Sequence, residues 1–260
     1  MPVPGQRVVV TGAGHGIGRA IAARLAAEGA RVVVGDLDAP AATRVAAEID
    51  GHAVPGDAAT ESGVTALVEA ARVHLGGIDI WFANAGIDGG QGLDAPEEDW
   101  TAALDVNLMA HVRAARLLVP EWTERGSGRF VVTPSAAGLL TMLGSPTYSV
   151  SKHAAVAFAE WLSATYQHRG VVVQAICPQG VRTRMLDKAG PLQELLSHDT
   201  ALAPEDVAET MWQAMQDDRF LVLPHPEVGD YYRSRATQTD RWLAGMNKLQ
   251  CRLEEKGALS

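Results

Sequence analysis

Tyr148 and Lys152 stand four residues apart in "PTYSVSKHA" (146–154). On a helix that spacing puts both side chains on one face. A phenol titrates near ~10, so acting as a base at neutral pH requires lowering it by about three units, or ~4 kcal/mol. One cation at ~4 Å in an effective dielectric of about 20 supplies ~4 kcal/mol. Lys152, helped by a further positive charge bound beside the phenol, is therefore of sufficient size to activate it, with burial acting the other way. The chemistry open to the pair is general acid–base catalysis. Tyr148 would take a proton from an alcohol, or return one during reduction.

A second constellation lies near the start of the chain. "RVVV" (7–10) runs into "TGAGHGIG" (11–18), and an Ala-rich helical stretch follows. Glycines in such a turn let the chain reverse tightly, let backbone approach a pyrophosphate, and let the helix pack closely on the sheet. The helix N-terminus then offers free N–H groups and partial positive charge to phosphates. Gly12, Gly16 and Gly18 fit T-G-x-x-x-G-x-G, whereas G-x-G-x-x-G fails because Ile17 takes its last place. Asp36 follows the next β-branched run, eighteen residues past Gly18. A carboxylate there accepts hydrogen bonds from ribose hydroxyls and repels a 2′-phosphate. Leu37 follows it and His15 sits in the turn, so neither neighbouring position brings an arginine or lysine. NAD(H) is the expected cofactor, rather than NADP(H).

These residues need elements to hold them. Strands are expected at 7–10, 31–35, 52–56, 78–83, 129–133, 171–176 and 219–223. Their apolar cores are continuous, the mark of strands buried on both faces of a parallel sheet. Amphipathic stretches at 17–28, 39–49, 61–75, 97–124 and 146–167 alternate with them. Gly29 follows the first; Ser145 and Pro146 offer an N-cap and first-turn proline to the last. Strand–helix alternation of this kind predicts a doubly wound, seven-stranded parallel Rossmann-type sheet with helices on both faces. One domain is expected over 1–260, with 226–260 as its C-terminal helical extension.

With this turn in front and Y-x-x-x-K in the middle, residues 5 to about 224 resemble the short-chain dehydrogenase/reductase superfamily. "ANAG" (83–86) is similar to the family's strand end, and Asn107 in "DVNLMA" to its helix asparagine. Ser135 precedes Tyr148 by thirteen residues, the family interval, and "PQGVRT" (178–183) matches the loop beside the nicotinamide. The resemblance implies a catalytic set of Asn107, Ser135, Tyr148 and Lys152. Ser135 would hold the substrate oxygen, Lys152 would also bind the nicotinamide ribose, and Asn107 would help hold a relay water. The implied cofactor residues are Gly12, His15, Gly16, Ile17, Gly18, Asp36, Leu37, Asp57, Ala58, Asn84, Ala85 and Gly86. They continue with Tyr148, Lys152, Pro178, Gln179, Gly180, Val181 and Thr183. A homo-oligomer, with a tetramer favoured, is implied as well.

Four positions depart from the family pattern. Ala83 replaces a first asparagine, Gln179 replaces the glycine after the proline, Pro134 directly precedes Ser135, and the last strand lacks a D-G-G ending. In place of that ending, Val228, Tyr231, Tyr232, Trp242, Leu243, Met246 and Leu249 form an imperfect helical stripe. The stripe suits packing on its own domain or a subunit contact. "LLTMLGS" (139–145) reads either as an apolar substrate wall or as a buried loop, and 182–198 as a lid in which Arg182, Arg184 and Lys188 cluster. His153 is expected to face away from Lys152, and His111 lies one turn beyond Asn107.

The formal charge of −9 disfavours nucleic acid and anionic membrane as partners. Cys177 and Cys251 make no disulfide framework, and no metal-ligand spacing is present. No secretory leader or membrane span is read, so a cytoplasmic protein is expected. The leading expectation is an NAD-dependent alcohol dehydrogenase or ketone reductase acting on a hydrophobic small molecule. An NADPH-dependent ketoacyl carrier-protein reductase and a non-catalytic NAD-binding regulatory module are the alternatives.

Overall fold

The computed structural model describes residues 3–187, 201–257 and 259. Seven parallel strands form one sheet in the order β3-β2-β1-β4-β5-β6-β7. They are β1 (Arg7–Thr11), β2 (Arg31–Asp36), β3 (His52–Pro55), β4 (Ile80–Ala83), β5 (Gly128–Val132), β6 (Val171–Ile176) and β7 (Leu221–Val222). The order reverses between β1 and β4, where a crevice opens at the carboxyl ends of the strands.

The continuous apolar runs are explained by the two faces. Val8 and Val10 join Ile21, Leu25, Val45 and Met211 on one side, while Val9 joins Leu67, Trp81, Trp122 and Leu162 on the other. Alternate residues of β1 thus serve opposite cores. The anticipated helices are present as α1 (Gly16–Ala27), α2 (Ala39–Glu48), α3 (Glu61–Leu75), α4 (Glu97–Leu104), α5 (Ala110–Arg125) and, after the short α6 (Ala137–Leu140), α7 (Pro146–Tyr166).

Three details differ from expectation. The single helix anticipated over 97–124 contains a π-helical turn, Asp105–Met109, between α4 and α5. Ser145 occupies the N-cap position of α7, but its buried hydroxyl makes no capping bond. After the short α8 (Arg184–Asp187), α9 (Pro204–Asp217) is absent from the anticipated elements. Its pattern is ordinary: Pro204 in the first turn, then Val207, Met211, Ala214 and Met215 buried along one face against α1. Arg24 of α1 ties α9 down through Glu209, at 2.8 Å, and covers the Trp212 ring.

The C-terminal stripe is broken at Gln238 into α10 (Glu227–Thr237) and α11 (Thr239–Glu255). Val228 is fully buried with Ala136, Leu139, Leu140 and Cys177, and Tyr232 and Trp242 pack on the same cluster. The extension therefore packs on its own chain. Lys188 and most of the expected lid lie outside the described residues. Among the described residues no helix is long and apolar enough to cross a membrane.

Candidate active site

Five carboxyl strand ends converge on the crevice. After β1 the chain turns through Gly12 and Gly16, at φ +63° and +51°, conformations that favour glycine. A Cβ on Gly12 would lie 2.9 Å from the Ala85 Cα, and one on Gly18 would lie 2.2 Å from the Gly12 carbonyl oxygen. Close packing of turn, helix and strand thus requires these glycines. Thr11 supports the neighbouring strand end, its hydroxyl accepting from the N–H groups of Asn84 (3.0 Å) and Ala85 (3.1 Å). Asn84 returns a bond through Nδ2 to Thr11 O. Ala83 therefore leaves this strand end well held despite the missing family asparagine.

Asp36 accepts from the Gly14 N–H at 2.7 Å and from the Asp38 N–H at 2.9 Å. Its carboxylate is aimed over the glycine turn, and Leu37 beyond it is exposed. His15 meets Asp38 at 3.0 Å and holds that carboxyl below the usual range. Arg184 reaches His15 at 2.9 Å. A cleft of about 390 Å³ is lined by Gly14, His15, Gly16, Thr183 and the arginines 19, 44, 182 and 184. Arg182 and Arg184 are thus brought to the turn from a distant segment, beside Arg19 of α1 and Arg44 of α2, with Asp187 and Glu205 among them. Thr183 closes on the turn, its Cγ2 3.0 Å from where a Cβ on Gly16 would stand. Asp57 is less directly placed: its Oδ1 accepts from Ala59 N–H and so closes a local turn. Ala58 lines a small internal cavity with Ala85 and His111.

Tyr148 and Lys152 sit as their spacing predicts, on the buried face of α7. Lys152 Nζ donates to Thr133 O at 3.0 Å and lies 5.4 Å from the Tyr148 ring centre. Burial lowers Lys152 to about 8 and raises the Tyr148 phenol to about 12, while a hydrogen bond with Ser135 pulls the phenol down. The activation expected from Lys152 is not met within the chain alone: burial outweighs the Ser135 hydrogen bond and leaves the phenol above its ordinary value. Gly86 is required between the two polar groups, since a Cβ there would lie 3.0 Å from Lys152 Nζ and 3.1 Å from Asn107 Oδ1.

Ser135 follows β5 at φ +85°, a strained conformation for a non-glycine residue and a feature that concentrates at functional sites. Its hydroxyl donates to Pro178 O at 3.3 Å and accepts from Ala137 N–H at 3.2 Å. Asn107 lies in the π turn, fully buried. Its Nδ2 donates to Ile87 O and Ser151 Oγ, each at 2.9 Å, and its Oδ1 accepts from Ile87 N–H. Val181 pairs with Leu202, and Gly180 O accepts from Leu202 N–H, fixing the loop after β6 from its far side.

The histidines divide. Burial pushes His111 down to about 3, and both its ring nitrogens lack partners, so it is a neutral core residue. His153 bonds Ser149 O and Arg235, away from Lys152. Within "LLTMLGS", Leu139 and Leu140 are buried beneath α10, which resolves the first half in favour of a buried loop. Farther along, Gly144 O accepts from Gly92 N–H and Thr147 donates to Gly90 O, joining the two loops at the mouth. His225 and Arg235 were not anticipated: His225 bonds the Gln179 N–H, and Arg235 bonds Leu139 O. No regular spacing links those partners in sequence.

A doubly wound sheet, a glycine turn at its switch point and a cluster of half-buried Ser135 with buried Tyr148 and Lys152 define a dinucleotide-type oxidoreductase architecture. The family model for short chain dehydrogenase matches residues 6–193, and the chain belongs to that family. It is 38% identical over 229 residues to a 1-deoxy-11-beta-hydroxypentalenate dehydrogenase of Streptomyces exfoliatus, covering 85% of this chain and 83% of that one. It is 32% identical to a 2-dehydro-3-deoxy-L-rhamnonate dehydrogenase (NAD(+)) of a Sphingomonas strain, over 71% of this chain and 75% of that one. Among solved structures, a Burkholderia phymatum short chain dehydrogenase/reductase in complex with NAD superposes with a TM-score of 0.86 at 28% identity, covering 92% of this chain and 96% of that one.

Proposed function

We propose that this oxidoreductase is NAD(H)-dependent and interconverts an apolar secondary alcohol with its ketone, Tyr148 serving as the acid–base group. The observation that carries the reading is the meeting of Ser135, Tyr148 and Lys152 in one cluster beside a glycine turn capped by Asp36. The relative named as NAD(+)-linked and the structure holding NAD support the cofactor. The names of both relatives specify dehydrogenation, one of them of a hydroxylated acid.

The residues present fit the cofactor. Gly12, His15, Gly16, Ile17 and Gly18 would take the pyrophosphate at the start of α1. Asp36 would accept from the adenosine ribose, Leu37, Asp57 and Ala58 would border the adenine, and Asn84 to Gly86 would floor the crevice. Tyr148 and Lys152 would meet the nicotinamide ribose, and Pro178, Gln179, Gly180, Val181 and Thr183 the nicotinamide. NAD⁺, when bound, supplies the hydride acceptor and a positive charge beside the phenol. That charge matters because Tyr148 in the chain alone stands at about 12.

Ser135 turns its hydroxyl from Pro178 O toward the substrate oxygen and steadies the developing charge. Tyr148 takes the alcohol proton, and Lys152 favours the phenolate. The Asn107 side chain is committed to Ile87 and Ser151, so a relay water would rest on its main-chain carbonyl in the π turn. The proposal includes a homo-oligomer, supported by exposed Val150 and Trp161 on α7; light scattering showing a monomer would refute that part.

Parallel fluorescence titrations with NADH and NADPH, followed by a panel of cyclic secondary alcohols and hydroxy acids, test the reading. Tight NADH, weak NADPH and turnover of one panel member are expected. Tight NADPH would instead favour a reductive enzyme of the ketoacyl carrier-protein class, helped by the arginines of the cleft. NADH binding with no turnover across the panel would favour a non-catalytic module.

A further inference from the structure

The Pro178–Gln179 peptide group is held at both poles. Its carbonyl, Pro178 O, accepts from Ala136 N–H at 2.8 Å and from the Ser135 hydroxyl at 3.3 Å. Its N–H, on Gln179, donates to His225 Nδ1 at 3.1 Å. A backbone N–H can only donate, so Nδ1 accepts and the ring is neutral with its proton on Nε2. His225 is 4% exposed and lies in the short link between β7 and the C-terminal extension. The Cys177 N–H bonds Val222 O, which aligns that strand with β6 and brings His225 beneath the loop.

The arrangement falls at the position where this chain carries Gln179 in place of the family glycine. Without an acceptor on its N–H, this peptide would be held at its carbonyl alone, by Ala136 and Ser135, and would tilt more easily about its flanking bonds, carrying that carbonyl away from Ser135. An acceptor buried beneath it opposes that rotation, because turning the N–H away would leave both groups unsatisfied. Ser135 itself is strained, at φ +85°, and depends on its surroundings to stay in place.

We infer that His225 is a positioning residue: through the Pro178–Gln179 peptide plane it sets the resting direction of the Ser135 hydroxyl. The inference rests on the substrate-holding role proposed for Ser135. It assigns work to the link between β7 and the C-terminal extension that packing alone does not require. The chemistry demanded of position 225 is narrow: a neutral acceptor at the site of Nδ1. The Asn side chain places its Oδ1 there, whereas the Gln side chain places its oxygen where Nε2 stands.

The experiment compares His225→Ala, His225→Asn and His225→Gln in the full chain, using the panel alcohol that the unaltered protein oxidises fastest. His225→Ala and His225→Gln are expected to lower kcat by about ten-fold or more, within the range that misplacing a catalytic group produces. His225→Asn should stay within about three-fold of the unaltered protein, since it keeps the bond. Amide hydrogen exchange of the peptide containing Gln179, read by mass spectrometry without substrate, should accelerate in the Ala and Gln variants and not in Asn. In a Ser135→Ala background, His225→Ala should add little further loss, because the two act through one group. Equal behaviour of Asn and Ala, unchanged kcat in Ala, or full additivity with Ser135→Ala would each overturn the inference. If Ser135→Ala alone leaves kcat unaltered, the proposed role of Ser135 fails instead, and the exchange data still decide whether His225 holds the peptide.

Discussion

The glycine turn and the wall around Ser135 face one crevice but are held in different ways. The turn is shaped by glycine backbone conformations and by Asp36, only 22 residues from the Gly14 N–H that it accepts. The wall is assembled from longer closures: 43 residues separate Ser135 from Pro178, 46 separate Gln179 from His225, and 96 separate Leu139 from Arg235. A turn that brings backbone against a phosphate leaves glycines at fixed offsets, so it is readable. A wall closed by distant partners leaves no offset. The comparison teaches that the shape of the turn is a local property, while its packing on Ala85 and Thr183 and the whole wall around Ser135 depend on distant strands and the C-terminal extension.

The largest effect expected is at the junction of the two regions. Tyr148→Phe should reduce kcat by about 10³-fold, within the range for a lost acid–base group, and leave the NADH dissociation constant nearly unaltered. Stopped-flow turnover and fluorescence titration check both halves, and activity near that of the unaltered protein would break the assignment. Next comes Gly18→Ala, whose Cβ would stand 2.2 Å from the Gly12 carbonyl oxygen. It should destabilise the fold by about 1–3 kcal/mol and abolish tight NADH binding, as seen by urea unfolding and titration.

Lys152 sharpens the comparison through pH. Its folded value near 8 lies below the ordinary 10.5, because burial disfavours the cation. Above about 8 the unfolded chain binds the extra proton, so stability of the cofactor-free protein should rise with pH, by roughly 1 kcal/mol up to about pH 9. The Cys177 thiol, pushed by burial from its ordinary 9.0 to about 12, acts in the opposite direction above 9, and Tyr148, raised to about 12, does so above its ordinary 10. Urea denaturation at several pH values from 7.5 to about 9 should show the rise, and Lys152→Met should remove it. A parallel slope in the variant would mean that the buried ammonium is already compensated.

The smallest effect should belong to the far closure. Arg235→Ala removes donors to Leu139 O and a contact with His153. It should raise the KM of the panel alcohol by about two- to five-fold, within the range for one lost hydrogen bond, while NADH affinity holds. A change in NADH affinity as large as the change in KM would show that the two regions are not separable.

The seven strands, their parallel direction and the placement of Tyr148 with Lys152 on one helix face were all legible, because two-sided burial and helical periodicity write themselves into residue type. So was Asp36 above the turn. Helix α9 carried an equally plain pattern from Val207 to Met215, yet its position against α1 follows only from the chain's return to the first half of the sheet. The π turn at Asn107 has no local sequence mark. It is imposed where that side chain must reach Ile87 and Ser151 together.

By itself the sequence determined the α/β fold, the glycine turn, the shared helix face of Tyr148 and Lys152, and the place of Asp36 after the second strand. These depend on spacings shorter than one strand–helix unit, or on the chemistry of a single residue type. The tertiary structure alone decided the sign of the Tyr148 shift, the burial of Leu139 under α10, the arginines gathered around the cleft, and the seat of His225 beneath the Gln179 peptide. Burial, field and hydrogen-bond closure depend on which distant atoms meet. That meeting is set by how seven strands stack side by side, rather than by any interval along the chain.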